Sequence, residues 1–303
     1  MTQRYVNTSA TAGGDGSTNL ETESVSLAAD QAYVDLATWE AAEDGVTITE
    51  AHVVDCDRGT TAGTDNTAFT IASWSGNSAT NTITIRANRD SVNGFNTTGV
   101  FDSVNFFTVE HDAVSTYHIQ SNENYVILDG LQFLHDTATA NRRIVSMNNN
   151  YMTTQNCYFH KASGSTGTNA YGLFAAGIDT VVTNCVFTNF NDTGDRGLYV
   201  YSSNLTYNCT FHDCSTALVL AGGINNSEVV KVRNCAIFDC GTDLIDVSTS
   251  DQVTLDYNAT DDPATGFLDP RGTNGQDFND DTALWTAGFR DHANLDLRID
   301  SED

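Results

Sequence analysis

Residues 181–190 read VVTNCVFTNF, and the word Asn-Cys-x-Phe inside them recurs along the chain. Upstream it is TTQNCYFHKA (153–162). Downstream it is LTYNCTFHDC (205–214) and then VRNCAIFDC (232–240), with Ile in the aromatic slot. Aligning on the cysteine gives Cys157, Cys185, Cys209 and Cys235. ILDGLQF extends the series back to Leu131, and LDYNAT extends it forward to Ala259. The steps are 26, 28, 24, 26 and 24 residues. A period of this size marks an architecture of stacked units, each too small to bury its own apolar face.

A second series precedes each word: YHIQ (117–120), RIVSM (143–147), YGLFA (171–175), RGLYV (196–200), TALVL (216–220) and TDLIDV (242–247). Each cycle therefore holds a short apolar strand, a turn, a second strand, the Asn, a third strand and a loop. The strands are rich in Val, Thr, Phe and Tyr and alternate with period two. The LxxLxLxxN pattern of leucine-rich repeats is absent. Both prolines, Pro263 and Pro270, fall after the repeats, so nothing interrupts parallel ladders. The pattern predicts an all-β chain, a right-handed parallel β-helix whose rungs stack ~4.8 Å apart. Cys157, Cys185, Cys209 and Cys235, with Phe133, Phe159, Phe187, Phe211 and Ile237, then form core columns. Asn156, Asn184, Asn208 and Asn234 mark the turn, because Asn tolerates the left-handed conformation and can bond to the Asn one rung away.

ADQAYVDLATWEAAED (29–44) has helical spacing, with Tyr33, Leu36 and Trp39 on one face. It is expected to cap the open end of the solenoid. The expected organisation is an N-terminal arm and capping helix (1–44), irregular first rungs (45–115), regular rungs (116–260) and a C-terminal cap or tail (261–303). The N-terminus has no apolar h-region, so a signal peptide is not expected.

The chain has 303 residues and a formal charge of -27, from 40 acidic against 13 basic residues. Nucleic acid is an improbable partner for such a surface, since that binding depends on Lys and Arg displacing counterions. No run reaches the ~18 apolar residues of a membrane span. Lys161 and Lys231 are the only lysines, and Asp far outnumbers Glu. At molar salt, where the Debye length is ~3 Å, the self-repulsion of such a chain costs little. The composition is read as adaptation to high salt, the alternative being an ordinary acidic viral or secreted protein. Seven cysteines show no CxxC spacing, so buried free thiols are expected, with no metal and no cofactor. Cys214 and Cys240 share a column, but a disulfide needs Cβ atoms ~3.8 Å apart, closer than the ladder brings them.

GGDGS (13–17), YVDLATWEAA (33–42), FTIASWSGNSATNTITIRAN (69–88) and NYVILDGLQF (124–133) resemble right-handed parallel β-helix, pectate-lyase-like proteins of tailed phages and related viruses. That superfamily includes tailspike depolymerases, pectate lyases and polygalacturonases, and also non-catalytic virion fibres and decoration proteins. The pectate-lyase Arg-x-Pro-x-x-Arg is absent. So are the Gly-His-Gly and Arg-x-Lys of polygalacturonases, so no family site is carried over.

If Leu173, Leu198 and Leu218 face inward, then Phe174, Tyr199, Tyr201 and Val219 form an outward apolar stripe. Such a stripe marks an interface or a surface for stacking sugars. The carboxylate candidates are Asp213 and Asp239, each four residues after its Cys and so ~5 Å apart on adjacent rungs, a separation that suits a retaining glycosidase. Solvated turn residues or an oxygen-ligated cation are the plainer readings. Asp192 and Asp195 in FNDTGDRG have loop composition. His160 and His212 share a column two rungs apart, too far for one metal.

The resemblance and the stripe together lead us to expect a non-enzymatic virion surface protein, a capsid decoration or tail or fibre component of a tailed virus infecting a halophilic host. It would be assembled in the host cytoplasm and would serve assembly or host-surface attachment. Its expected partners are capsid or tail proteins, copies of itself in a homotrimer, and host polysaccharide. A polysaccharide depolymerase (lyase or glycoside hydrolase) and a carbohydrate-binding adhesin are the alternatives.

Overall fold

The computed structural model describes residues 1–11, 13–18, 31–60, 63–90, 96, 101–111, 116–221, 229–246 and 253–260. It also describes the short strands Gln276–Asp277, Phe289–Asp291 and Asp296–Ile299. Three parallel sheets surround one apolar core. The first stacks nine strands, from Thr2–Asn7 to Val253–Asp256. The second stacks eight, from Thr108–His111 to Gln276–Asp277, and the third seven, from Phe69–Ile71 to Leu244–Asp246. One turn of chain gives each sheet a strand: Thr153–Gln155, then Tyr158–Lys161, then Tyr171–Ala175, before Thr180–Thr183 pairs with the first of these. The chain is a right-handed parallel β-helix with an N-terminal capping helix.

The repeated word works as its residue types require. Phe159 pairs in register with Phe133 and Phe187, and Phe187 with Phe211, which pairs with Ile237. Their buried rings stack at 4.7, 4.7 and 4.9 Å. Cys157, Cys185, Cys209 and Cys235 lie buried beside them, and all seven cysteines are free thiols. Asn156, Asn184, Asn208 and Asn234 have φ of 56°, 54°, 54° and 53°. Asn184 Nδ2 donates to Asn156 Oδ1 (3.3 Å), and Asn208 Nδ2 donates to Asn184 Oδ1 (3.2 Å). Replacing Asn184 by Ala is expected to cost about 1–2 kcal/mol, the penalty of forcing an ordinary side chain into the left-handed region. Asn184→Gly should lose less, because it keeps the backbone freedom and gives up only exposed amide bonds. Urea unfolding of the two variants checks this order.

Three expectations need correction. Ala259 pairs with Ala236, so the residue in register with Cys235 is Asn258. Tyr257 occupies the left-handed slot (φ 56°), while the buried Asn258 amide accepts from the Cys235 backbone N–H and donates to the Val232 carbonyl. The helix spans Leu36–Glu43, shorter than 29–44. Asp35 caps it, accepting from Thr38 N at 2.6 Å, and this fixes the start. Tyr33 is instead extended and bridges Val6. Finally, Thr2–Asn7 is not an arm but the first strand of the first sheet.

Trp39 closes the end of the core as expected, 5.8 Å from Trp74 and edge-on to Phe69 at 6.5 Å. Pro263, Pro270 and most of the expected C-terminal cap lie outside the described residues. Within that stretch, Gln276–Asp277 adds a strand to the second sheet, and Phe289–Asp291 pairs antiparallel with Asp296–Ile299. No helix among the described residues is long and apolar enough to cross a membrane.

Candidate functional site

The third sheet turns Leu173, Leu198 and Leu218 into the core and presents two outward columns. One carries Gln120, Ser146, Phe174, Tyr199, Val219 and Ile245 in register. The other carries Tyr117, Arg143, Tyr171, Arg196 and Thr216. Phe174 and Tyr199 stack at 5.2 Å, 12° from parallel, and Tyr171 meets Tyr199 edge-on at 5.5 Å. Arg143 lies on the Phe174 ring, its Cζ 3.6 Å from the centroid, while Arg196 sits 4.9 Å over Tyr171. At these separations guanidinium and ring attract through charge and quadrupole. Tyr201 follows the Tyr199 strand and is 48% exposed. A shallow depression lined by Thr70, Thr116 and Tyr117 opens at the N-terminal end of the columns.

Of the expected stripe, Phe174, Tyr199 and Tyr201 line the face. Val219 occupies the outward register but is only 4% exposed, since a short side chain between Tyr199 and Ile245 is overhung at one-rung spacing. Arg143, Tyr171 and Arg196 escaped the sequence reading. Their signal was present, because YHIQ, RIVSM, YGLFA and RGLYV open alternately on Tyr and Arg.

Charge sets this face apart. No residue of its strands from Phe69–Ile71 to Thr216–Leu220 is acidic, in a chain with 40 carboxylates. Neither Arg143 nor Arg196 pairs with a carboxylate among the described residues. Among the described residues the Arg143 guanidinium makes one long bond, 3.4 Å to Ser146 Oγ, and the buried Arg196 Nη1 has no hydrogen-bond partner. Burial lowers the Arg143 pKa, with Tyr171 and Tyr199 opposing the shift. Burial and then Tyr171 raise that of Tyr199, so its phenol keeps its proton at neutral pH.

Asp213 and Asp239 lie at the corner between the second and third sheets, on adjacent rungs. Their φ values of 50° and 52° make them the turn residues of a second left-handed column that Asn189 begins (φ 64°). Asp213 Oδ2 accepts from Asn191 Nδ2 at 2.8 Å, and the 63% exposed Asp239 side chain lies 3.3 Å from His212 Nε2. Asp192 and Asp195 instead clasp Lys161, whose Nζ is 2.6 Å from each. His160 stacks on Phe101 and bonds to Thr188, two rungs from His212. Three further histidines, His111, His118 and His135, are buried at the same corner with ring centroids 5.5 and 5.9 Å apart. Burial, reinforced by His111, lowers His118 and His135 to about 3 each, so both are neutral at pH 7. Among the described residues, no group of three His, Cys, Asp or Glu is arranged to hold a metal ion.

A family described as a right handed beta helix region matches residues 143–268, which include the most regular rungs. No curated protein matches the sequence. The fold is similar to the crystal structure of an alginate lyase from Paenibacillus sp. str. FPU-7, at 13% identity and a TM-score of 0.44, over 76% of this chain and 90% of that one.

Proposed function

We propose that the protein is a non-catalytic glycan-binding β-helix that holds a polysaccharide against the outward face of its third sheet. The observation that carries this reading is the ladder of Tyr171, Phe174 and Tyr199, set with two arginines and free of carboxylates. A sugar ring offers an apolar C–H face with hydroxyls at its edge. Flat aromatic rings take the former, while guanidinium groups bond to the latter. Glycoside hydrolysis needs a pair of carboxylates about the scissile bond, and this face supplies none. A lyase would need a base, and the Tyr199 phenol is pushed in the opposite direction. In the virion setting that the sequence resemblance implies, such a face would serve attachment to host-surface polysaccharide.

Titration of the full chain against a panel of purified bacterial and archaeal polysaccharides tests the proposal. Binding without release of reducing or unsaturated ends is expected. Tyr199→Ala and Phe174→Ala should each weaken it about tenfold, or ~1.4 kcal/mol. Cleavage of any bound polymer would make the protein a depolymerase instead. Binding that survives both substitutions would move the site elsewhere.

A further inference from the structure

We infer that the ligand is an acidic polysaccharide bearing one anionic group on every second sugar, laid along the solenoid axis. This rests on the glycan-binding reading of the same face and adds the ligand's charge and repeat.

The charge follows from the two arginines. In a chain of formal charge -27, Arg4, Arg86, Arg89 and Lys161 pair with carboxylates, whereas among the described residues Arg58, Arg142 and Arg233, like the two arginines of this face, do not. Arg143 and Arg196 are held instead by stacking on Phe174 and Tyr171. Stacking uses the face of a guanidinium and not its in-plane N–H edge, the edge that takes a carboxylate or sulfate bidentately. Arg196 Nη1 is buried and is an unsatisfied donor among the described residues. The overall negative charge does not forbid an anionic ligand, because at physiological ionic strength the Debye length is about 8 Å. Within the third sheet the first acidic residue is Asp246, on its last strand.

The repeat follows from the register. Arg143 pairs with Tyr171, and Tyr171 with Arg196, so the arginines stand two rungs apart, roughly 10 Å along the axis. An extended pyranose chain advances by about one rung per sugar. A polymer lying along the column therefore places one sugar at each arginine and the sugar between them at Tyr171. Tyr117, one rung before Arg143, continues the alternation. A polymer with acid on alternate sugars puts its anions on the arginines. A polymer with acid on every sugar also sets an anion on the tyrosine.

Calorimetric titration of the full chain with length-matched oligosaccharides tests this. The probes are hyaluronan (a carboxylate on alternate sugars), oligogalacturonate (a carboxylate on every sugar) and neutral chito-oligosaccharide. Hyaluronan is expected to bind at least about tenfold more tightly than either of the others. Arg143→Gln with Arg196→Gln should abolish that preference, lowering the hyaluronan affinity at least about tenfold more than the neutral affinity. Equal affinity for acidic and neutral probes would overturn the inference and leave glycan binding standing. So would a preference that survives the double variant. Oligogalacturonate binding as tightly as hyaluronan would overturn the alternating repeat. No binding of any glycan here or in the polysaccharide panel would overturn both this inference and the function beneath it.

Discussion

Replacing Asp195 by Ala is expected to cost the fold about 3–5 kcal/mol, the loss that follows when one partner of a buried ion pair is removed. Lys161 is 1% exposed, and its Nζ bonds to Asp192 and Asp195 at 2.6 Å and to the Gly167 carbonyl at 2.7 Å. Asp195 is 0% exposed and also accepts from the Ala170 backbone N–H at 2.8 Å. Asp195→Ala removes that acceptor and leaves a buried ammonium with one half-exposed carboxylate, Asp192. Lys161→Met combined with Asp195→Asn buries no charge and keeps an acceptor for Ala170, so it should recover most of the loss. Urea unfolding of the single and double variants reads both values. A cost below about 1 kcal/mol for Asp195→Ala would mean that the clasp contributes little. The clasp also bears on function, because Ala170 and Asp195 immediately precede Tyr171 and Arg196. On the proposed function, a loosened corner should therefore weaken glycan binding as well.

The architecture was legible because a solenoid is nearly one-dimensional. A residue's neighbours lie one period away, so spacing alone places Phe187 against Phe159 and Phe211. Residue identity and position part company in two places. In LDYNAT the Asn drew the alignment, but the chain puts Tyr257 in the left-handed slot and buries the Asn258 amide. Tyr33, Leu36 and Trp39 satisfy a helical spacing, yet only Leu36 and Trp39 lie in the helix. Tyr33 is buried as expected, but through a β-bridge to Val6.

The site was legible in part for the same reason. Alternation within YGLFA and RGLYV placed Phe174 and Tyr199 on the outer face. Arg143, Tyr171 and Arg196 open their strands, where Gly172 and Gly197 break simple alternation: the register runs from Tyr171–Arg196 to Leu173–Leu198. The clasp of Lys161 by Asp195 joins residues 34 apart, at a distance the loop lengths set and no repeat announces. The covering of Val219 depends on the size of its neighbours in adjacent rungs, which a strand-by-strand reading does not weigh.

Stability measured against pH is expected to reveal two opposed titrations that nearly cancel in the parent protein. His118 and His135 lie at about 3 in the fold, chiefly through burial, against ~6.5 unfolded. Their contribution is complete well above pH 6.5 and is lost as pH falls, by about 4 kcal/mol for the pair between pH 7 and 5. Glu40 and Asp65 are pushed the other way. Burial raises each to about 7, against bonds from Ala72 and Trp74 to Glu40 and from Leu36 and Thr67 to Asp65. Their contribution is complete below their unfolded values and is lost as pH rises towards 7, by roughly 5 kcal/mol for the pair between pH 5 and 7. The parent protein should therefore keep a nearly constant urea midpoint from pH 7 to 5. Below about pH 4.5 it should lose stability steeply, because the carboxyl gain is then complete while the histidines continue to drive unfolding. Glu40→Gln with Asp65→Asn keeps the hydrogen-bond acceptors and removes one side of the balance, so its stability should fall between pH 6.5 and 5. His118→Leu with His135→Leu removes the other, so its stability should rise over the same interval. Three parallel profiles would show that neither pair titrates as its burial requires. Profiles that diverge in these directions would locate the acid sensitivity of the solenoid at the corner between its second and third sheets.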